Sequence, residues 1–255
     1  MNLEGRKYVA LGSSYGAGPG LRPRVQGSPI PAGRSSSNYA HLVAARTGAV
    51  LDDVTYSGAT VRQLRHGGPK DRPPQAAAVT PDTALVTITA GGNDVGYLPG
   101  LTLSSLPPAL GALLRTRSRV ASFVDPAQTD QRFADLGVEL TGLLKDLRST
   151  APEARILLVG YLTLLPPRGV GTGALPAAVA DWGCAVAERL GEVMRTATAA
   201  TGTEFVDVGA ASSAHHAWSA EPWTRRFHYT LRGGAAYHPD LAGMRAVADL
   251  IEQQL

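Results

Sequence analysis

Cysteine is almost absent: Cys184 is the single one in 255 residues. One thiol rules out an intramolecular disulfide framework, so the chain is compatible with a reducing compartment. A chain of this length can bury a core large enough to need no such staples. Cys184 follows Trp182 in a helical pattern and reads as a small buried hydrophobe rather than a nucleophile. Long apolar runs are missing as well. No stretch reaches the ~18 uninterrupted apolar residues that a membrane-spanning helix requires. Met1–Lys7 leads straight into Tyr8–Leu11 without the apolar region of a secretory signal. A cytoplasmic location without a transmembrane segment is therefore the expectation.

Charge is sparse too, at 18% of residues, with a formal net charge of +3 and a pI near 9.2. The basic residues are scattered in pairs such as Arg22/Arg24 and Arg225/Arg226 rather than gathered on one stripe, so nucleic acid is not an expected partner. Nucleotide signatures are lacking. Gly16, Gly18 and Gly20 do not spell G-x-G-x-x-G, Pro19 interrupts the helix start that motif needs, and no G-x-x-x-x-G-K-[ST] loop occurs. His215 and His216 are adjacent but lack a companion set at metal-ligand spacing. Neither cofactor nor metal is expected. His41 falls mid-helix and His66 in a glycine-containing loop, both structural or solvated positions; His228 lies in an aromatic and basic loop that suits a substrate route.

Glycine (29) and proline (18) are, by contrast, plentiful. They punctuate short apolar runs at Tyr8–Leu11, Ala84–Ala90, Arg155–Gly160 and Glu204–Val208, with a weaker one at Val50–Tyr56. Several are β-branched and nearly continuous, as in strands covered on both faces of a parallel sheet. Helical patterns alternate with them. Ser36 or Ser37 can cap a helix over Asn38–Thr47, stopped by Gly48. Phe133, Leu136, Leu140, Leu143/Leu144 and Leu147 recur at helical spacing, as do Trp182, Val186, Leu190 and Val193. Leu241, Met244, Val247/Ala248 and Ile251 form a last stripe, with Pro239 at its start. The alternation predicts an α/β sandwich around a mostly parallel sheet, with residues 1–255 as one domain. Long connections at Tyr15–Ser35, Gly58–Val79, Gly96–Asp130, Leu162–Ala178 and Gly209–Pro239 exceed ordinary loops and suit the building of a site.

In open parallel sheets the site lies beyond the carboxyl ends of the strands, and Ser14, Gly58 and Asn93 each follow a strand closely. Gly12-Ser13-Ser14-Tyr15-Gly16 formally matches the G-x-S-x-G nucleophile elbow of α/β-hydrolases. That elbow follows a central strand well into the chain, whereas Ser14 follows the first, so that fold is set aside and the serine kept. Taken alone, the loop reads equally well as an ordinary Ser/Gly turn. Gly91-Gly92-Asn93-Asp94 ends the strongest strand. Asn93 can aim its side-chain N–H2 at an oxyanion and Asp94 can hold the turn, although a structural Asx turn would look the same. Gly58 can offer a backbone N–H to the same oxyanion. Tyr237-His238-Pro239-Asp240 opens the final helix, where His238 can swing over the sheet edge as general base to Ser14.

Together these residues resemble the SGNH/GDSL family of serine esterases and lipases, especially its actinobacterial lipase/esterase-like branch. The nucleophile block corresponds to Gly12-Ser13-Ser14-Tyr15 and the glycine block to Ser57-Gly58-Ala59. The Gly-x-Asn-Asp block corresponds to Gly91-Gly92-Asn93-Asp94. The histidine block corresponds to His238-Pro239-Asp240, continuing through Gly243-Met244. The resemblance runs from Tyr8 to about Ile251. It implies a flavodoxin-like three-layer α/β/α sandwich, an oxyanion hole from the Ser14 N–H, the Gly58 N–H and the Asn93 side chain, and attack by Ser14 to give an acyl-enzyme released by water with help from His238.

Three departures from the family pattern stand out. The usual Asp of the nucleophile block is Ser13, a position that does not itself attack. The Asp often found three residues before the histidine is Ala235, which leaves a backbone carbonyl near Ala235 to hold the imidazole, or less favourably a distant carboxylate such as Asp207. A carbonyl can fix the tautomer but carries no full charge, so weaker or more specialised catalysis is expected than from a full triad. The cysteine positions of secreted relatives read Ala32 and Tyr56 here, in keeping with an intracellular form. The implied substrate is a small or medium carboxylic ester, with Leu98–Leu106 and Leu162–Leu165 as candidate acyl-pocket walls. Acyl transfer or deacylation on a glycan or specialised metabolite is an alternative, and a degenerate binding protein is a third. The intact set Ser14, Gly58, Asn93 and His238 argues against the last.

Overall fold

A computed structural model describes residues 1–106, 126–173, 175–228 and 235–255. Parts of the loops read at Gly96–Asp130, Leu162–Ala178 and Gly209–Pro239 lie outside these residues. Five strands, β1 (Lys7–Gly12), β2 (Val50–Asp53), β3 (Thr83–Thr89), β4 (Arg155–Val159) and β5 (Glu204–Val206), form one sheet in the order β2-β1-β3-β4-β5. Every neighbouring pair is parallel. The five apolar runs of the sequence are thus the five strands. β3 is buried along its whole length, as continuous hydrophobicity requires of a strand covered on both faces. The weaker signal of β2 comes from its place at the sheet edge, where exposed and partly buried residues alternate and Val50 faces solvent.

Helices cover the sheet. α1 (Ser14–Ala17), α2 (Tyr39–Thr47), α3 (Val61–His66), α4 (Tyr97–Ser104), α5 (Pro126–Thr150), α6 (Ala177–Thr201), α7 (Val208–Ala211) and α8 (Leu241–Glu252) follow the strands in chain order. α2 packs against α8, while α5 packs against α6 and α3. The apolar stripes read from the sequence are their inner faces: Phe133, Leu136, Leu140, Leu143, Leu144 and Leu147 on α5, and Met244, Val247, Ala248 and Ile251 on α8, are all buried.

Several local expectations shift. Asn38, not Ser36 or Ser37, caps α2: its side-chain oxygen accepts the His41 N–H. A carboxamide reaches the first turn as well as a hydroxyl does. The serines instead tie back to Arg22 and Pro23. Gly48 ends the helix in the left-handed conformation, as read. At α8 the cap is Asp240, which accepts the Gly243 N–H, so Pro239 sits outside the helix. His66 closes α3 rather than lying in a loop, and its Nε2 is 3.2 Å from Glu139 Oε2. β5 stops at Val206 because Asp207 caps α7 through the Ala210 N–H. α3 and α4 lie inside stretches read as loops, and α7 begins at Val208, read as the end of a strand, and runs into the loop read from Gly209.

Candidate active site

The carboxyl ends of β2, β1 and β3 are neighbours, and each continues into one block of the site. Backbone demands are severest where β1 ends. Gly12 has φ +144°, and a Cβ there would come within 2.5 Å of the Thr89 carbonyl oxygen, so only glycine lets β1 pass β3 this closely. Both polar groups of Gly12 are clamped by Gln75: its N–H donates to Gln75 Oε1 at 2.8 Å, and its carbonyl accepts from Gln75 Nε2 at 3.1 Å. The Ser13 N–H then donates to Thr89 O, and Ser14 opens the one-turn helix α1.

Ser14 Oγ lies 2.7 Å from His238 Nε2, and His238 Nδ1 lies 2.7 Å from the Ala236 carbonyl oxygen. A carbonyl accepts only, so Nδ1 carries the proton and Nε2 is left to accept from the serine hydroxyl. Burial pushes the imidazole down to a pKa of about 4; the Ala236 carbonyl opposes this and the nearby Arg225 charge adds to it. The ring is therefore neutral, the form a general base needs. The carbonyl that orients it belongs to Ala236, one residue beyond the position read from the sequence. The Ala235 oxygen accepts the His238 N–H instead. Asp207 is engaged with Ala210 and Arg195 and takes no part.

Tyr237 aims that carbonyl. Its φ of +60° is rare for a side chain of this size. The conformation is held from several sides: Tyr15 Oη donates to its carbonyl at 3.0 Å, its own hydroxyl is 2.6 Å from Ser105 Oγ, and its N–H and the His238 carbonyl both bond Arg225. The chain at 223–225 thus straps the histidine loop down. Gly243 lets it come close, since a Cβ there would meet the Trp223 carbonyl at 2.2 Å.

Gly58 sits at φ +79° in a turn after β2, and the N–H groups on either side of it are used: Ser57 donates to Ala32 O and Ala59 to Tyr56 O. Asn93 donates one side-chain N–H to Ala59 O at 2.9 Å, which fixes the amide and leaves its second N–H for the cleft. Asp94 does not close a local turn. Both its oxygens accept the Val61 N–H at the start of α3, and burial raises its pKa to about 7. Tyr161 links the loops that carry these groups. Its hydroxyl accepts the Gly92 N–H at 2.9 Å, and its ring packs on that of Tyr15 with 4.6 Å between centroids. A Cβ on Gly92 would sit 2.9 Å from that oxygen.

Ser14, Gly58, Asn93 and His238 line one cleft of about 490 Å³. Its lining is largely apolar, from Leu98, Pro99, Leu103 and Leu106 of and just after α4, together with Pro19. Of the two leucine-rich segments, Leu98–Leu106 thus borders this cleft, whereas Leu162–Leu165 face a different cavity. The other histidines stand apart: His41 is 3.5 Å from Asp53, and His215 stacks on Trp223 at 4.0 Å. Among the described residues no group of three His, Cys, Asp or Glu side chains could hold a metal ion, and no helix is long and apolar enough to cross a membrane.

A five-stranded parallel sheet with this serine and imidazole over its carboxyl edge defines a serine hydrolase of the SGNH type, esterase- or lipase-like. Lipase 2 of Streptomyces coelicolor is 32% identical over 251 residues, spanning 95% of this chain and 83% of that protein. An extracellular lipase from Streptomyces rimosus has a solved structure that matches with a TM-score of 0.77 at 26% identity, covering 98% of this chain and all of that one (100%). Phospholipase A1 from Streptomyces albidoflavus NA297, at 24% identity, shares the fold with a TM-score of 0.81 over 98% of this chain and 100% of that one. The chain belongs to the GDSL-like Lipase/Acylhydrolase family, whose model matches residues 10–246.

Proposed function

We infer that the protein hydrolyses carboxylic esters through an acyl-enzyme on Ser14. His238 Nε2 takes the Ser14 proton as Oγ attacks the ester carbonyl carbon. The tetrahedral oxyanion is met by the Ser14 N–H, the Gly58 N–H and the free N–H of Asn93. The imidazolium then returns the proton to the departing alcohol oxygen, and the acyl group stays on Oγ. Water enters, gives its proton to His238 and attacks the acyl carbon, and collapse releases the carboxylic acid and restores the hydroxyl. The imidazolium is stabilised by a neutral carbonyl rather than a carboxylate, so each proton transfer is helped less than in a full triad.

The observation that carries this reading is the 2.7 Å contact from Ser14 Oγ to an imidazole whose other nitrogen is committed to a carbonyl. The apolar wall at Leu98, Leu103 and Leu106 favours a small or medium aliphatic acyl chain. Ser14→Ala should lower turnover of a short-chain ester by roughly 10⁵–10⁶-fold with no change in unfolding temperature. It should also abolish labelling by a serine-reactive phosphonate. Full activity in that variant would end the proposal.

A further inference from the structure

Leu162, Leu164 and Leu165 follow β4, and all three are buried. They line a second cavity of about 390 Å³, closed by one face of α6 and by the end of β5. No residue lines both this cavity and the Ser14 cleft. Its volume falls in the range of small-ligand sites, and it lies beyond the carboxyl ends of β4 and β5, where open parallel sheets bind ligands.

The cavity is amphipathic in an ordered way. Leu162, Leu165, Leu190, Met194 and Phe205 make it apolar inside. Arg168 and Arg195 stand on its lining with side chains 52% and 49% exposed. Each guanidinium already rests on a carboxylate that also lines the cavity: Arg168 on Glu188 at 2.6 Å and Arg195 on Asp207 at 3.3 Å. Exposed pairs of this kind contribute little, about 0–1 kcal/mol. A ligand carboxylate can therefore replace either acid on its arginine at small cost, and bidentate geometry favours it.

We propose that this cavity binds a linear aliphatic carboxylate, with its chain against Leu162, Leu190 and Met194 and its carboxylate on Arg168 or Arg195. Such an acid is the product class of ester hydrolysis, so the ligand's identity rests on the function inferred above, while the cavity's chemistry stands without it. Tyr161 lines the cavity, accepts the Gly92 N–H and packs its ring on Tyr15 next to Ser14, so the acid would bind one side chain away from the reacting centre.

Cys184 makes the test direct, because the chain's only thiol is part of this lining and its side chain is partly exposed. The enzyme is first inactivated at Ser14 with an alkyl phosphonate that fills the catalytic cleft, then titrated with decanoate. The expected result is one equivalent bound by calorimetry and a Cys184 reaction with an aromatic disulfide reagent slowed about tenfold at saturation. Arg168→Gln or Arg195→Gln should weaken decanoate about tenfold, the loss of one charge-assisted contact. Gly191→Phe, or Ala187→Phe if the first fails to fold, should fill the cavity and abolish binding while ester hydrolysis and unfolding temperature persist. No binding to the phosphonylated enzyme, or no protection of Cys184, overturns the proposal. So does equal affinity for decan-1-ol or decylamine, or binding unchanged by both arginine variants. If the phosphonate fails to label Ser14, the inferred function falls, and thiol protection in the untreated protein still decides the cavity.

Discussion

Acid is the most informative perturbation of this site. Burial holds the His238 imidazole at a pKa of about 4, against about 6.5 for a free imidazole. The base must be neutral, so the rate is lost only as pH falls through the pKa of the folded enzyme. At pH 5 an imidazole of pKa 4 is about 90% neutral, and one of pKa 6.5 about 3% neutral, so the burial is worth roughly thirty-fold in rate at that pH. The assay is kcat/KM for a neutral ester between about pH 3.5 and 8, followed by chromatographic quantification of the released alcohol, which does not titrate in this range; kcat/KM reports the free enzyme. The acid limb should have its midpoint near pH 4. Ala235→Asp then restores the carboxylate that relatives of this family often carry. A negative charge beside the ring should raise its pKa by about 1–3 units and move the limb upward by the same amount. A wild-type midpoint near 6.5 would refute the argument from burial. A limb unmoved in Ala235→Asp would show that a carboxylate at this position does not reach the ring.

Three other perturbations test separate parts of the site. Asn93→Ala should lower kcat by roughly 10²–10³-fold with KM nearly unchanged, as for loss of one oxyanion donor; an effect confined to KM would remove Asn93 from the transition state. Tyr161→Phe deletes the acceptor of the Gly92 N–H, one residue before Asn93, and should cost about tenfold in kcat with a matching slowing of phosphonate labelling; unchanged labelling would show that this contact positions nothing. Gln75→Leu leaves the buried Gly12 N–H without an acceptor and should cost about 1–3 kcal/mol in urea unfolding, and a shift within experimental error would mean that water or a local rearrangement supplies the partner.

Most of this architecture was legible because its signals are local. Runs such as Thr83–Thr89 are apolar throughout because both faces are covered, and the stripes of α5, α6 and α8 repeat at helical spacing. Ser14, Gly58, Asn93 and His238 were legible because each sits directly after a strand or before the last helix, and the structure brings all four to one cleft. What stayed hidden depends on distant partners. Nothing around Gln75 announces that it will clamp Gly12, 63 residues away. Tyr161 gains meaning only by meeting Gly92 across 69 residues. α4 was masked by Pro99 and Gly100, which read as loop but are accommodated within its eight residues. Leu162–Leu165 and Leu98–Leu106 are both leucine-rich, and only the placement of α4 and α6 decides which segment faces Ser14.

The order β2-β1-β3 makes the sheet a ruler. Parallel neighbours stand about 4.8 Å apart, and Gly58, Ser14 and Asn93 emerge from three consecutive rungs, so their separation is inherited from main-chain pairing rather than tuned by side chains. Drift in the outer segments can then reshape the lining of the cleft while the spacing of these three residues stays that of the strands.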